Sequence, residues 1–409
     1  MVHKRIGKLD PDLADQIAAG EVVERPASIV KEVVENSLDA GSKNIDISVT
    51  GGGLKSIYVS DDGHGIHEAD LTLAIQRHAT SKISKSEDLL SISTLGFRGE
   101  ALASIASVSR FKLSSRSGQS ESGWMISTAG DSKFSKEPIA HNRGTTVHAD
   151  ELFFNVPARR KFLKSERVEN RQIETVVKKI SLANMSVAFS YAQSGSSKNE
   201  RGLRKLELKA GDPHQRLADV LSPDFVENSI FLDETRNRYR LFGWIGVPSH
   251  NRAQRDQQFF YVNKRPVKDE VVNQAVRQAY RDLMYGRRHS VYVLFLELPE
   301  EELDVNVHPT KQEVRYRDPR SVRDLIFSTL HYNLAAPLGT RLSSTNLAPN
   351  NITSIPDTSS IGLPLKGDRQ NRGANYIDAD TLRMRGRREL FDLYGGEESG
   401  GLTVSHYLG

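Results

Sequence analysis

The chain of 409 residues contains no cysteine. That excludes disulfides, thiolate nucleophiles and cysteine-ligated zinc together, and it fits a reducing compartment. Long apolar runs are missing as well. No stretch of about 18 uncharged apolar residues occurs, so no membrane-spanning helix is expected. The N-terminus opens Met-Val-His-Lys-Arg and turns polar and acidic by Asp10, without the apolar centre of a secretory signal. Nowhere is there a Gly-x-x-x-x-Gly-Lys-Ser/Thr run, so any nucleotide is held by something other than a P-loop. Internal repeats, zinc-finger spacing and a helix with base-reading side chains are absent too.

What is present suits a soluble globular chain, with 37% hydrophobic and 26% charged residues. The length fits two domains and a tail. A net charge of +4 is too mild to name a partner, but it is unevenly spread. Residues 201–290 hold 17 Lys plus Arg against 11 Asp plus Glu, an excess of 17 − 11 = +6. A basic stretch of this size is either a solvated surface or a face for a polyanion.

Residues 10–200 read as mixed helix and strand. Pro26 and Ser28 start a helix over 26–40 that Gly41 ends, and Ile29, Val30, Val33, Val34 and Leu38 form its apolar face. Ile45, Ile47 and Val49 alternate as a half-buried strand, Gly51–Gly53 turns the chain, and Ile57 and Val59 lead a second strand to Asp61. Further helices are expected over 69–78 and from Glu100. The polar stretch around Ser194–Gly202 suggests a boundary. Beyond it, strands are expected at 239–246, 258–263 and 291–298, with helices near 269–284 and 319–335. From about 340 to 376 the composition turns to Ser, Thr, Asn, Pro and Gly, as in a disordered tail.

Four local patterns carry chemistry. On the first helix, Glu32, Asn36 and Asp39 recur at i, i+4 and i+7 and share one face. That face is either an exposed polar stripe or a general base beside an amide oxygen suited to Mg2+. At a strand end, Asp61-Asp62-Gly63-His64-Gly65 offers a carboxylate for an exocyclic amine and glycines that permit close approach of a ligand. Gly96-Phe97-Arg98-Gly99-Glu100-Ala101-Leu102 sets two glycines and an arginine before a helix N-terminus, a setting suited to phosphate. Gly144-Thr145-Thr146 opens a later strand and by itself is an ordinary turn.

In this order and spacing, the four patterns resemble the motifs of Bergerat-fold ATPases. Longer runs narrow the likeness to the MutL-type DNA mismatch-repair family: Gln16–Pro26, Glu35–Gly41, Arg77–Lys82, Leu95–Leu102, Asn155–Leu163 and Asp304–Lys311. The resemblance spans roughly residues 8–336. It implies an α+β fold: a Bergerat-type α/β sandwich ATPase domain over 1–205, then a smaller ribosomal-protein-like α/β domain over 206–336. A linker or disordered tail over 337–409 would follow.

The resemblance also implies a slow, Mg2+-dependent ATPase of the bacterial cytoplasm, nucleoid-associated when acting, which dimerises on binding ATP. By carry-over, Glu32 is the general base, Asn36 holds Mg2+, and Asp61 binds the adenine amine with support from Thr80 and Thr145. Gly63 and Gly65 line that end. Gly96, Phe97, Arg98, Gly99, Glu100, Ala101 and Leu102 form a lid that Lys82 helps order, and Lys311 reaches the γ-phosphate from the second domain. Residues 16–25 would reach a partner subunit. The implied partners are DNA, a MutS-type mismatch sensor and a downstream nicking endonuclease or helicase. No endonuclease domain or Asp-Gln-His-Ala-type metal motif is found in the chain.

For DNA, Arg236, Arg238 and Arg240 would share one face if 236–242 is a strand. Arg277 and Arg281 stand one helical turn apart, opposite Val272, Val276, Ala279 and Leu283. Arg277 lies in Asn273–Ala279, which resembles the family segment whose arginine contacts DNA. Arg265, Arg159 and Arg160 are further candidates. Binding driven by phosphates is expected to be independent of sequence and weakened by salt.

Overall fold

Helix α1 (Pro11–Val22) occupies the segment whose only sequence signal is a family signature, and Ala19 and Val23 seat it on the core with at most 1% of their surface exposed. This is a computed structural model, and it describes residues 10–82, 99–130, 133–195, 204–284, 286–304 and 314–335. Gly96, Phe97, Arg98, Lys311 and the proposed tail at 337–409 lie outside the described residues.

Helix α2 (Pro26–Asp39) matches the predicted helix. Pro26 takes the first helical turn, where its missing N–H costs nothing. Ile29, Val30, Val33 and Val34 are buried as the spacing requires. Strands β1 (Asn44–Thr50) and β2 (Ser56–Asp61) pair antiparallel, with Ile45, Ile47, Val49, Ile57 and Val59 on the core side. The predicted helix over 69–78 is not formed. A single 3-10 turn and the one-turn α3 (Leu71–Ala74) stand there, and His78 adopts φ +60°, which no right-handed helix continues.

The unit continues through α4 (Ala101–Ser107), β3 (Arg110–Arg116), β4 (Gly123–Thr128), β5 (Phe134–Ile139), β6 (Gly144–Asp150), α5 (Pro157–Phe162), α6 (Glu166–Ala183), β7 (Ala188–Ser194) and β8 (Arg204–Leu208). Its sheet has eight strands in the order β5-β4-β3-β6-β2-β1-β7-β8. Only β1 and β7 pair in parallel; the other neighbours are antiparallel. The polar stretch at 194–202 therefore joins two strands of one sheet.

A second unit follows: α7 (Pro213–Val220), α8 (Pro223–Glu227), β9 (Ser229–Arg236), β10 (Tyr239–Gly246), β11 (Asn251–Arg252), β12 (Gln258–Val262), β13 (Arg265–Pro266), α9 (Glu270–Ala279), β14 (His289–Ser290), β15 (Tyr292–Glu297), β16 (Leu303–Asp304), β17 (Arg315–Tyr316) and α10 (Pro319–Ala335). Its main sheet runs β13-β12-β15-β10-β9. Helix α9 stops at Ala279, short of the predicted 284, because Tyr280 turns inward and donates to the Gly246 carbonyl at 2.6 Å. Leu283 is consequently exposed, not part of the apolar face.

Both faces of this second sheet are buried, which explains why β10, β12 and β15 read as nearly continuous apolar runs. Leu241, Ile245, Val262, Leu294 and Leu296 pack toward α9 and α10. The alternate residues Phe242, Trp244, Phe259, Tyr261, Val293 and Phe295 join the core of the first unit. Phe295 stacks on Phe242 and Tyr261 at centroid distances of 5.1 and 4.9 Å, and Tyr261 donates to the Lys179 carbonyl of α6 at 2.8 Å. Arg216 of α7 pins the junction. Its side chain, 1% exposed, donates to the carbonyls of Ser181, Val187 and Lys209 at 2.6–2.7 Å and of Leu208 at 3.3 Å. Burial, only partly offset by Asp219, brings its pKa down to about 10.

Candidate functional site

Asp61 ends β2, where the strand leaves the sheet, and its side chain is fixed from two sides. Ser37 of α2 donates to Oδ2 at 2.8 Å and the Gly63 amide donates to Oδ1 at 2.9 Å. Thr145 stands opposite Asp61 across β2 and β6. Ser115 of β3 lies 3.0 Å from the Thr145 hydroxyl, accepts from the Ile66 amide and donates to the Gly144 carbonyl. Ser37 and Ser115 had no role assigned from sequence, although Ser37 sits directly beside Asn36.

The glycines at this end serve the protein's own packing. At Gly65, φ is +74° and a Cβ would lie 2.2 Å from the Arg116 carbonyl oxygen. At Gly144, φ is +122° and a Cβ would lie 1.9 Å from the Asp61 carbonyl oxygen. Both are needed to close loops onto strands, since an L side chain would be strained and obstructed. Gly63 and Gly65 are both buried against protein. A depression of about 750 Å3 is lined by Arg116, Gly123, Ile139 and His141 among others, and Asp61 is not one of its walls.

The polar face of α2 draws in a lysine from far along the chain. Lys82 donates to Asn36 Oδ1 at 2.8 Å and pairs closely with Asp39. The Lys82 amide in turn donates to Thr80 Oγ1 at 3.2 Å, so Thr80 braces the turn that carries Lys82. Gly99 packs on Ala79, and Glu100 pairs with His78 at 3.4 Å, which brings the start of the Gly99–Leu102 segment to the same loop. Lys31, unremarked in the sequence, bridges Glu32 at 2.9 Å and Glu35 at 3.0 Å. Burial works against the Lys31 ammonium, but the charges of Glu35 and Glu32 outweigh it and hold its pKa above the ordinary lysine range.

The predicted DNA-contact arginines divide sharply. Arg236 and Arg238 do not share a strand face with Arg240, because the chain reverses at Asn237 between β9 and β10. All three have carboxylate neighbours: Arg236 near Glu234 at 3.8 Å, Arg238 with Glu301 at 2.5 Å, and Arg240 with Asp233 at 2.7 Å and Glu297 at 3.5 Å. Arg265 is 8% exposed, so it is no surface contact. Burial lowers its pKa, opposed by the charges of Glu35, Asp39 and Glu300. Arg159 is half-buried, its guanidinium against Gly20 of α1 and 5.9 Å from the Phe153 ring centre. Arg160, Arg277 and Arg281 are exposed as expected. The segment expected to reach a partner subunit turns Ala19 and Val23 inward, leaving Ile17 57% exposed.

Residues 24–150 match the family described as histidine kinase-, DNA gyrase B-, and HSP90-like ATPase, and residues 217–335 match the C-terminal domain of DNA mismatch repair protein. The chain is 49% identical over 337 residues to DNA mismatch repair protein MutL of Cellvibrio japonicus, covering 81% of this chain and 53% of that protein. It is 47% identical over 359 residues to MutL of Pseudomonas aeruginosa, covering 88% and 56%. The chain thus spans about half the length of these relatives. Among solved structures, the N-terminal domain of a DNA repair protein superposes with TM-score 0.67 at 26% identity, over 78% of this chain and 97% of that one. The Aquifex aeolicus MutL ATPase domain complexed with ADP superposes with TM-score 0.53 at 26% identity, over 75% and 98%. No helix among the described residues is long and apolar enough to cross a membrane.

Proposed function

The chain belongs to the MutL family of DNA mismatch-repair proteins, and from that premise we propose that it is a Mg2+-dependent ATPase whose nucleotide state governs its grip on DNA. One observation supports this most. Lys82 bonds Asn36 and Asp39 on one face of α2, while Ser37 of the same helix bonds Asp61 at the end of β2. Oxygen donors and an amine acceptor are thereby gathered around one helix of an ATPase fold.

In this reading Asp61 accepts a hydrogen bond from the adenine amine, with Thr145 beside it. Glu32 takes the proton of the attacking water, a role worth roughly 10²–10⁴-fold in rate. Asn36 offers its side-chain oxygen to Mg2+, and the Lys82 ammonium already bound to that oxygen marks a place that favours a cation. When bound, Mg2+ neutralises charge on the phosphates. Gly96–Leu102 would form the lid that Lys82 helps order, and Lys311 would supply a γ-phosphate contact from the second domain. The proposed domains remain 1–205 and 206–336 with a tail over 337–409, the first boundary moved to Leu208 so that β8 stays whole.

DNA contact is assigned to Arg160, Arg277 and Arg281. ATP-driven dimerisation through the segment around Ile17, coupling to a MutS-type sensor and to a nicking endonuclease or helicase, and a cytoplasmic setting complete the proposal. Lys31 favours a second reading. A Glu32 that stays engaged with the Lys31 ammonium is not free to face a water, and that would leave a nucleotide-gated DNA-binding scaffold without meaningful turnover.

Comparing wild type with Glu32→Ala for Mg2+-dependent ATP hydrolysis, nucleotide binding and dimerisation separates the two. The ATPase reading expects a variant that binds ATP and dimerises but loses roughly 10²–10⁴-fold in turnover. Wild type that binds ATP with no Glu32-dependent hydrolysis supports the scaffold.

A further inference from the structure

The face between α9 and β14 holds a cleft, and of its walls the roles above use only Arg277. Its walls include Arg255, Arg277, Arg288 and His289, with Asn273 and Gln258 beside them. Its volume is about 40 Å3. At roughly 10–15 Å3 for each water, that is room for about three waters, the scale of a phosphate's oxygens and too little for a nucleobase.

Among the described residues the charges around this cleft have no acidic partners of their own. Among the described residues no ion pair joins Arg255 or Arg277 to a carboxylate. The contrast with the neighbouring Arg252 is direct, since Arg252 is held by Asp256 at 2.8 Å. Arg288 is aimed by a neutral group, the Asn251 side-chain oxygen at 2.6 Å. His289 is fixed by its strand pairing with Arg252. Burial, then the charges of Arg255 and Arg277, hold the His289 imidazole below its ordinary range. The groups bearing on that ring are thus Arg255, Arg277 and Arg288, the Arg252–Asp256 pair, and Tyr292, whose buried phenol is pushed above its usual range.

We infer that Arg255, Arg277, Arg288 and His289 form a socket for a single phosphate group of a DNA backbone. The inference rests on the DNA-binding reading above and adds where one phosphate is seated and by which groups. Guanidinium groups lining one cleft offer forked N–H donors to phosphate oxygens, and an anion between them relieves their mutual repulsion. The same anion favours the imidazolium form of His289, so seating a phosphate raises the pKa of that ring and tightens binding as pH falls through its titration.

The test uses the full chain, a short DNA duplex without terminal phosphates and, separately, sodium phosphate. Duplex affinity is measured against salt for wild type, Arg255→Gln, Arg277→Gln and Arg240→Gln, and the His289 ring is titrated by NMR with and without duplex. Each socket variant is expected to flatten the slope of log K against log salt by about 0.9, the loss of one phosphate contact, while Arg240→Gln leaves it unchanged. The His289 pKa rises with duplex in wild type and not in the socket variants. If wild type binds duplex but the socket variants keep its slope, or His289 does not respond, the socket is wrong and the DNA reading stands. Sodium phosphate moving His289 as far as duplex does, with all slopes unchanged, makes this a free-anion site and overturns the DNA assignment. Failure of wild type to bind duplex removes the DNA reading itself.

Discussion

The β9–β10 hairpin and the α9–β14 face lie in the same unit and carry arginines at similar density, yet they present different charge. On the hairpin, Arg236, Arg238 and Arg240 each meet a carboxylate. Even Tyr239 bonds to Glu302, which, as the largest cause, lifts its pKa to about 12. On the other face Arg255 and Arg277 meet no carboxylate among the described residues, and they add to the burial that holds the neighbouring His289 imidazole below its ordinary range. A polyanion gains little from the first and a focused potential from the second.

Three substitutions would break or sharpen this contrast. The largest effect is expected where an arginine is wholly satisfied inside the protein. Arg216→Met strips donors from four carbonyls and should cost about 3 kcal/mol or more in chemical unfolding. A loss below about 1 kcal/mol would mean that the junction does not depend on it. Next, Arg277→Glu replaces an unpaired cation with an anion, and DNA affinity near physiological salt should fall about tenfold or more, with ATP affinity in the absence of DNA unchanged. An unchanged binding isotherm would erase the distinction between the faces. The smallest effect belongs to Arg240→Gln, for which DNA affinity should shift less than about twofold, because its charge is already met locally. A loss matching that of Arg277→Glu would show the hairpin pairs opening to admit DNA.

Much of the candidate nucleotide end was legible from local order. The i, i+4, i+7 spacing on α2 put Asn36 and Asp39 on one face, and the single Lys82 ammonium that bonds both agrees. Strand alternation set Asp61 at the exit of β2. The lysine that fills that face was legible only as part of a motif, since it stands 43 residues from Asp39. Helix 69–78 was misread because apolar spacing says nothing about the left-handed turn at His78.

By itself the sequence determined the family, the helix and strands that frame the candidate nucleotide site, and the residue types able to meet a nucleotide. Those follow from short-range periodicity and from motifs in which neighbours along the chain are also neighbours in space. Tertiary structure alone decided which basic residues face solvent as free charge. Arg265 is buried because β13 docks on α6, Arg159 is half-buried because α1 lies against it, and the hairpin arginines are met by acids up to 64 residues away. Charge at a surface is a sum over neighbours in three dimensions. A count along one dimension cannot contain it.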